Sequence, residues 1–173
     1  MRLIVIGAGA HALRVGEAVG VGRYEAILFA VSDGGSACEP AGVAVVELEE
    51  ALVVHPAAHI ALGVGDGVRR ARVHAELEAA GRTVVTVIHP TAFVFQSATL
   101  GPGTTVLPGA IIERAVVGKG VIVDCGAIIS HGAVIGDYAH VGPGAVIAPR
   151  VIVGAGETVA AGTVVTTSTG KSG

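Results

Sequence analysis

Aromatic side chains are nearly missing: two Tyr, three Phe and no Trp in 173 residues, 3% of the chain. Hydrophobic residues nevertheless make up 51%, so any interior is built from Val, Ile, Leu and Ala. That composition suits thin stacked layers better than a large globular core. Cysteine is as scarce: Cys38 and Cys125 lie in different segments, form no disulfide framework, and fit a reducing, cytoplasmic compartment. There is no basic block either. The 11 Lys+Arg and 14 Asp+Glu leave a net charge of −3, which argues against nucleic-acid binding. Long apolar runs are also absent. The opening MRLIVIGAG stops at a glycine turn, so it reads as a buried strand and not as a membrane span or signal peptide.

Branched apolar residues, by contrast, recur on a strict period in the second half. They are Leu100, Val106, Ile112, Val117, Val123, Ile129, Ile135, Val141, Ile147, Val153, Val159 and Val165. Every step is six residues except the one from Ile112 to Val117, which is five. Three places after most of them stands a glycine, such as Gly103, Gly120 or Gly144. A fixed short period is a solenoid signature. Each hexad reads as one short strand and one turn. The branched residue points inward, and the glycine takes a turn conformation that a side chain resists. Three hexads close a triangular coil, which predicts a parallel β-helix of about four coils rising ~4.8 Å each. The places four after each marker (Thr104, Ala110, Val121, Ala127) are small and read as inward. The places five after (Ile111, Ile122, Ile128, Val134) read as outward and apolar. Apolar outer faces need cover, so the coils are expected to associate as a homotrimer.

The first half reads differently. Strands are expected at Arg2–Ile6, Glu25–Val31, Val43–Val46, His59–Leu62 and Thr83–Ile88, with helices at Leu13–Val19 and Val68–Ala80. On the second helix Val68, Val73 and Leu77 read as inward and Arg69, Arg70 and Arg72 as outward. Strands alternating with helices predict a small α/β domain with a parallel, Rossmann-like sheet over residues 1–88, followed by the β-helix over 89–173. The tail from Thr166, TTSTGKSG, reads as frayed.

Two kinds of residue carry chemistry. Gly7-Ala8-Gly9-Ala10-His11-Ala12 lies between a strand and a helix, where backbone N–H groups and the helix start can hold an anion. Ala12 replaces the third glycine of the dinucleotide fingerprint. Asp33 ends the next strand, where an acid can bind a ribose or base, and Gly65-Asp66 ends another on the same sheet edge. The alternatives are a tight turn without ligand and a mononucleotide or nucleotide-sugar site. In the coils, His131 sits at a corner and His140 in an outward place otherwise filled by Ile or Val. A histidine in a cleft can serve as general base near neutral pH. Zinc would need three convergent histidines; the coils hold two, so no metal is expected.

Taken together, several stretches resemble one family: the bacterial sialic acid O-acetyltransferases and nucleotide-sugar N-acetyltransferases. GAGAHA resembles the family's N-terminal GAGGHA, VTVIHPTA its domain join, and IISHGAVIGDYAHVGPGA its active-site stretch. The resemblance implies a left-handed β-helix and an acetyltransferase that uses acetyl-CoA. It implies that the first domain binds the nucleotide part of a nucleotide-sugar (a UDP-amino sugar foremost) or a sialic acid, through Gly7, Ala8, Gly9, His11, Asp33, Gly65 and Asp66. It implies His131 as general base in direct acyl transfer to an amino or hydroxyl group. His140, Gly142, Ala148 and Pro149 are implied at the CoA site, where the family's glycine N–H is expected to meet the acetyl carbonyl and Pro149 has no N–H to offer. The chain departs from the family where Ser130 and Gly132, instead of acids, flank His131, and where Pro149 stands in place of a glycine. The other reading is a trimeric nucleotide-sugar-binding protein with weak or lost transferase activity.

Overall fold

The computed structural model describes residues 1–20, 23–31 and 45–170, and the chain divides into two units, Met1–Val85 and Thr86–Gly173. Asp33, Cys38 and the start of the strand expected from Val43 lie outside the described residues.

The first unit is built on strands β1 (Arg2–Ile6), β2 (Ala26–Val31), β3 (Val45–Glu47) and β4 (His59–Leu62), all parallel, in the order β3-β2-β1-β4. Leu3, Ile4, Val5 and Ile6 are all buried, as expected of a central parallel strand covered on both faces. Helix α1 (Ala10–Ala18) follows β1, α2 (Leu48–Val54) follows β3, and α3 (Gly67–Ala79) follows β4. Sequence periodicity did not anticipate α2. Glu49 and Glu50 in its first turn suit the positive end of the helix dipole.

On α3 the hydropathy reading is corrected. Val68 is 83% exposed, whereas Arg70 is 1% exposed. Arg70 turns inward because its Nη1 donates to the carbonyls of Val64 (2.9 Å) and Gly65 (2.7 Å). Those bonds satisfy the carbonyls of the β4–α3 loop and compensate for burying the guanidinium.

The strand expected at Thr83–Ile88 is divided. Val84 forms a single parallel bridge to Ile60, but Val87–Ile88 pairs with Thr105–Val106 in the second unit. The division therefore falls at 85/86, three residues ahead of the sequence expectation. The six-residue step runs back through Val94 to Ile88, so the coils begin earlier than Leu100.

The second unit is a parallel β-helix of two-residue strands in three columns. The first runs Thr99–Leu100, Val116–Val117, Val134–Ile135, Ile152–Val153. The second starts at Val87–Ile88 and runs through Thr105–Val106, Ile122–Val123 and His140–Val141 to Thr158–Val159. The third starts at Phe93–Val94 and runs through Ile111–Ile112, Ile128–Ile129 and Val146–Ile147 to Val164–Val165. The markers from Val106 to Val153 and the small residues four places on are buried in one core, as the period predicts. Of the residues read as outward, Ile122 differs: it is buried.

The turns explain the punctuation of the sequence. Three places after a marker the backbone is left-handed, with φ near +60 to +73°, and glycine fills most of these places. Tyr138 (φ 59°) and Arg150 (φ 62°) occupy the same place without being glycine. Two places after a marker, the N–H points away from the ladder. Proline removes it at Pro90, Pro102, Pro108, Pro143 and Pro149. Elsewhere a carboxylate receives it: Asp137 that of Lys119, Asp124 that of Cys125. The tail is also corrected. Ile152 N–H donates to Ser168 Oγ, and Thr169 N–H donates to Ile152 O, so residues 168–169 pair with the end of a column instead of fraying.

Candidate functional site

In the first unit, six of the seven residues expected at the nucleotide site converge. Gly7, Ala8, Gly9, His11, Gly65 and Asp66 line one cleft of about 220 Å³, with Gly63, Arg69 and Val73. The seventh, Asp33, is outside the described residues. The cleft opens at the carboxyl ends of β1 and β4. Chain order reverses there, since β2 and β3 lie on one side of β1 and β4 on the other; open parallel sheets bind ligands at such a point.

Local packing makes the cleft. Gly7 turns sharply out of β1 with φ 118°, and its N–H donates to Ala30 O. A Cβ on Gly63 would lie 2.7 Å from both Ala12 Cβ and Ile6 O. The close helix–strand approach that a third fingerprint glycine usually allows is thus supplied from the opposite side, so Ala12 is tolerated. The N-cap of α1 is Gly9, with no side chain to satisfy the first-turn N–H groups. Asp66 caps α3, its Oδ1 accepting from Arg69 N–H at 2.7 Å. Its first role is therefore structural, although it lines the cleft.

In the coils, both histidines are tied to carboxylates one coil earlier, and sequence reading found neither partner. Glu113 Oε2 accepts the backbone N–H of His131 at 2.8 Å and lies 3.2 Å from its Nδ1. Asp124 Oδ2 lies 3.1 Å from His140 Nε2. An ionised carboxylate only accepts, so the proton sits on Nδ1 of His131 and on Nε2 of His140. His131 is left with an unprotonated Nε2, the arrangement a general base requires. The pair is about half exposed, within reach of solvent. The signal that could have found Glu113 is the coil length, since it precedes His131 by 18 residues, one more than the 17-residue turn at this point.

The remaining residues expected at the CoA site do not supply a free backbone donor. Gly142 N–H donates to Val159 O, Ala148 N–H donates to Val165 O, and Pro149 has none. Gly142 is instead a packing glycine: a Cβ there would lie 2.6 Å from Val159 O. Among the described residues no group of three or more His, Cys, Asp or Glu is placed to hold a metal ion, and no helix is long and apolar enough to cross a membrane.

Residues 114–149 match the model of the bacterial transferase hexapeptide (six repeats). The chain is also similar to solved acetyltransferase structures. PerB from Caulobacter crescentus, solved with CoA and GDP-perosamine, is 26% identical with a TM-score of 0.83, covering 98% of this chain and 91% of that one. The acetyltransferase domain of PglB from Neisseria gonorrhoeae, solved with acetyl coenzyme A, is 29% identical with a TM-score of 0.78, covering 96% and 91%. WeeI from Acinetobacter baumannii, at 20% identity and a TM-score of 0.70, covers 95% and 96% and shares the fold. No curated protein matches the chain by sequence. These matches bear out the family resemblance and the expectation of an acyltransferase.

Proposed function

We propose that this chain transfers the acetyl group of acetyl-CoA to an amino or hydroxyl group of a nucleotide-linked sugar, or of a sialic acid, with His131 as general base. The observation that carries the reading is the tethered imidazole. Nδ1–H is held by a carboxylate and Nε2 is left unprotonated, in a chain similar to proteins solved with CoA or acetyl-CoA. Nε2 takes the proton from the acceptor as its nitrogen or oxygen bonds to the acetyl carbon; the carbon–sulfur bond breaks, and the proton passes from Nε2 to the departing sulfur, releasing the CoA thiol. No covalent enzyme intermediate is needed.

The first unit, with its cleft at the carboxyl ends of β1 and β4 and the strand order of a Rossmann-like half, is read as the holder of the nucleotide part. The glycine loop and the uncapped start of α1 would face its phosphates. A UDP- or GDP-amino sugar fits this reading, GDP-perosamine being the ligand of a neighbour. Val116 and Val134 on the first column and Phe93 and Val164 on the third stay exposed, which supports a homotrimer.

One observation favours the alternative of a nucleotide-sugar-binding trimer with weak transfer: Gly142, Ala148 and Pro149 leave no main-chain N–H for the oxyanion. Thiol release from acetyl-CoA, measured over a panel of UDP- and GDP-amino sugars and sialic acid, separates the two. Transfer is expected to fall by ~10²–10⁴ in His131→Ala. Undiminished turnover in that variant removes His131 from the mechanism. Tight nucleotide-sugar binding without any thiol release selects the binding protein.

A further inference from the structure

We infer that Glu113 is the positioning carboxylate of His131, reaching the ring from the coil below, beside the turn of the β-helix that is a residue short. The inference rests on His131 being the base of the proposed transfer.

The residues beside His131 in sequence, Ser130 and Gly132, carry no charge at neutral pH. The coil below supplies the charge instead. Between Ile112 and Val117 the step is five residues, and the turn closes tightly: Ala115 N–H donates to Glu113 O, two residues back, at 2.7 Å. Strand Ile111–Ile112 pairs with Ile128–Ile129, so partners stand 17 residues apart here, against 18 from Val116 to Val134. With Ile112 paired to Ile129, Glu113 follows its strand one place before the level of His131. Its Oε2 meets both the main-chain N–H and the ring Nδ1 of His131.

Capping the turn does not by itself account for Glu113. The equivalent N–H is removed by proline at Pro108, Pro143 and Pro149, which needs no carboxylate at all. Asp137 and Asp124 also receive this N–H, at Lys119 and Cys125, but Glu113 is the acid that meets the ring of the residue it caps as well. The other charged residues stacked on this corner are cations. Arg114 stands in the turn below, its carbonyl accepting Gly132 N–H, and Arg150 in the turn above, its N–H donating to His131 O. Glu113 is the acid at this corner, and its contact with Nδ1 fixes which nitrogen of the ring is free.

The test is a ring ¹⁵N and ¹³C NMR titration of His131 in the full chain, with Glu113→Gln and Glu113→Ala beside the parent. Glutamine keeps an acceptor for the backbone N–H and removes the charge. In both variants the His131 titration midpoint is expected to fall and the Nδ1–H tautomer to lose its dominance. In turnover, Glu113→Gln is expected to lower kcat roughly tenfold. KM for the nucleotide-sugar should hold, and the acidic limb of the kcat profile should move to lower pH. An unchanged midpoint and tautomer in Glu113→Gln overturn the inference, as does a loss of activity that merely follows a loss of folded protein. The titration needs no substrate. A shifted midpoint in a parent that transfers no acetyl group upholds the Glu113 tether and sinks the proposed reaction instead.

Discussion

Asp124 holds His140 from the coil below while being only 2% exposed itself. Both its oxygens are engaged, Oδ2 by His140 Nε2 and Oδ1 by Cys125 N–H at 2.8 Å. Removing either partner leaves a buried polar group short of a bond. Asp124→Ala and His140→Ala are each expected to lose about 2 kcal/mol of stability. The double variant should lose clearly less than the sum, because the two act as one unit. Urea unfolding of the four proteins measures this, and additive losses would refute the pairing.

Gly63 lies where β4 passes under α1, and a methyl group there meets Ala12 Cβ and Ile6 O at 2.7 Å. Gly63→Ala is expected to lose about 1–3 kcal/mol of stability by overpacking. It should also displace the loops at both ends of the cleft and weaken nucleotide-sugar binding. Ala12→Gly added to it should restore part of the loss, not all, since the Ile6 carbonyl is main chain and cannot retreat. Thermal unfolding and isothermal titration of the single and double variants check both parts.

Arg70 spans the β4–α3 loop through the carbonyls of Val64 and Gly65. Arg70→Met preserves bulk but strands these acceptors, for an expected loss of about 2–3 kcal/mol. Binding of the nucleotide-sugar should fall as well, because Val64 and Gly65 both line the cleft. A variant as stable as the parent would show that the loop is held by other contacts.

Arg150 occupies a left-handed turn place that glycine fills in most coils. Arg150→Gly keeps the N–H that donates to His131 O and releases the steric conflict at Cβ. It is expected to gain roughly 1 kcal/mol. Loss of activity in this more stable protein would show that the guanidinium is retained for function. Differential scanning calorimetry with parallel turnover measurements decides it.

The coils were legible because one side chain in six repeats one geometric task, and the same task extends back to Ile88 and Val94. Polar residues and phenylalanines around those two break the visible pattern without breaking the ladder. The glycine cleft was legible for a related reason: each loop follows a strand, and parallel strands deliver their ends to one edge. Arg70 was not legible. Hydropathy assigns an arginine to water, and only the two carbonyls that meet it inside make burial favourable.

The chain alone determined the triangular coil, the buried markers and the corners, since these follow from spacing and from what glycine and proline permit in a turn. It also determined that one imidazole, His131, stands on such a corner and another, His140, on an outward strand place. Only the folded chain decided which carboxylate each ring meets, and hence which nitrogen carries the proton. Glu113 and His131 are remote in sequence and touch because stacked coils bring residues one circuit apart within hydrogen-bond reach, at a turn whose missing residue changes the register.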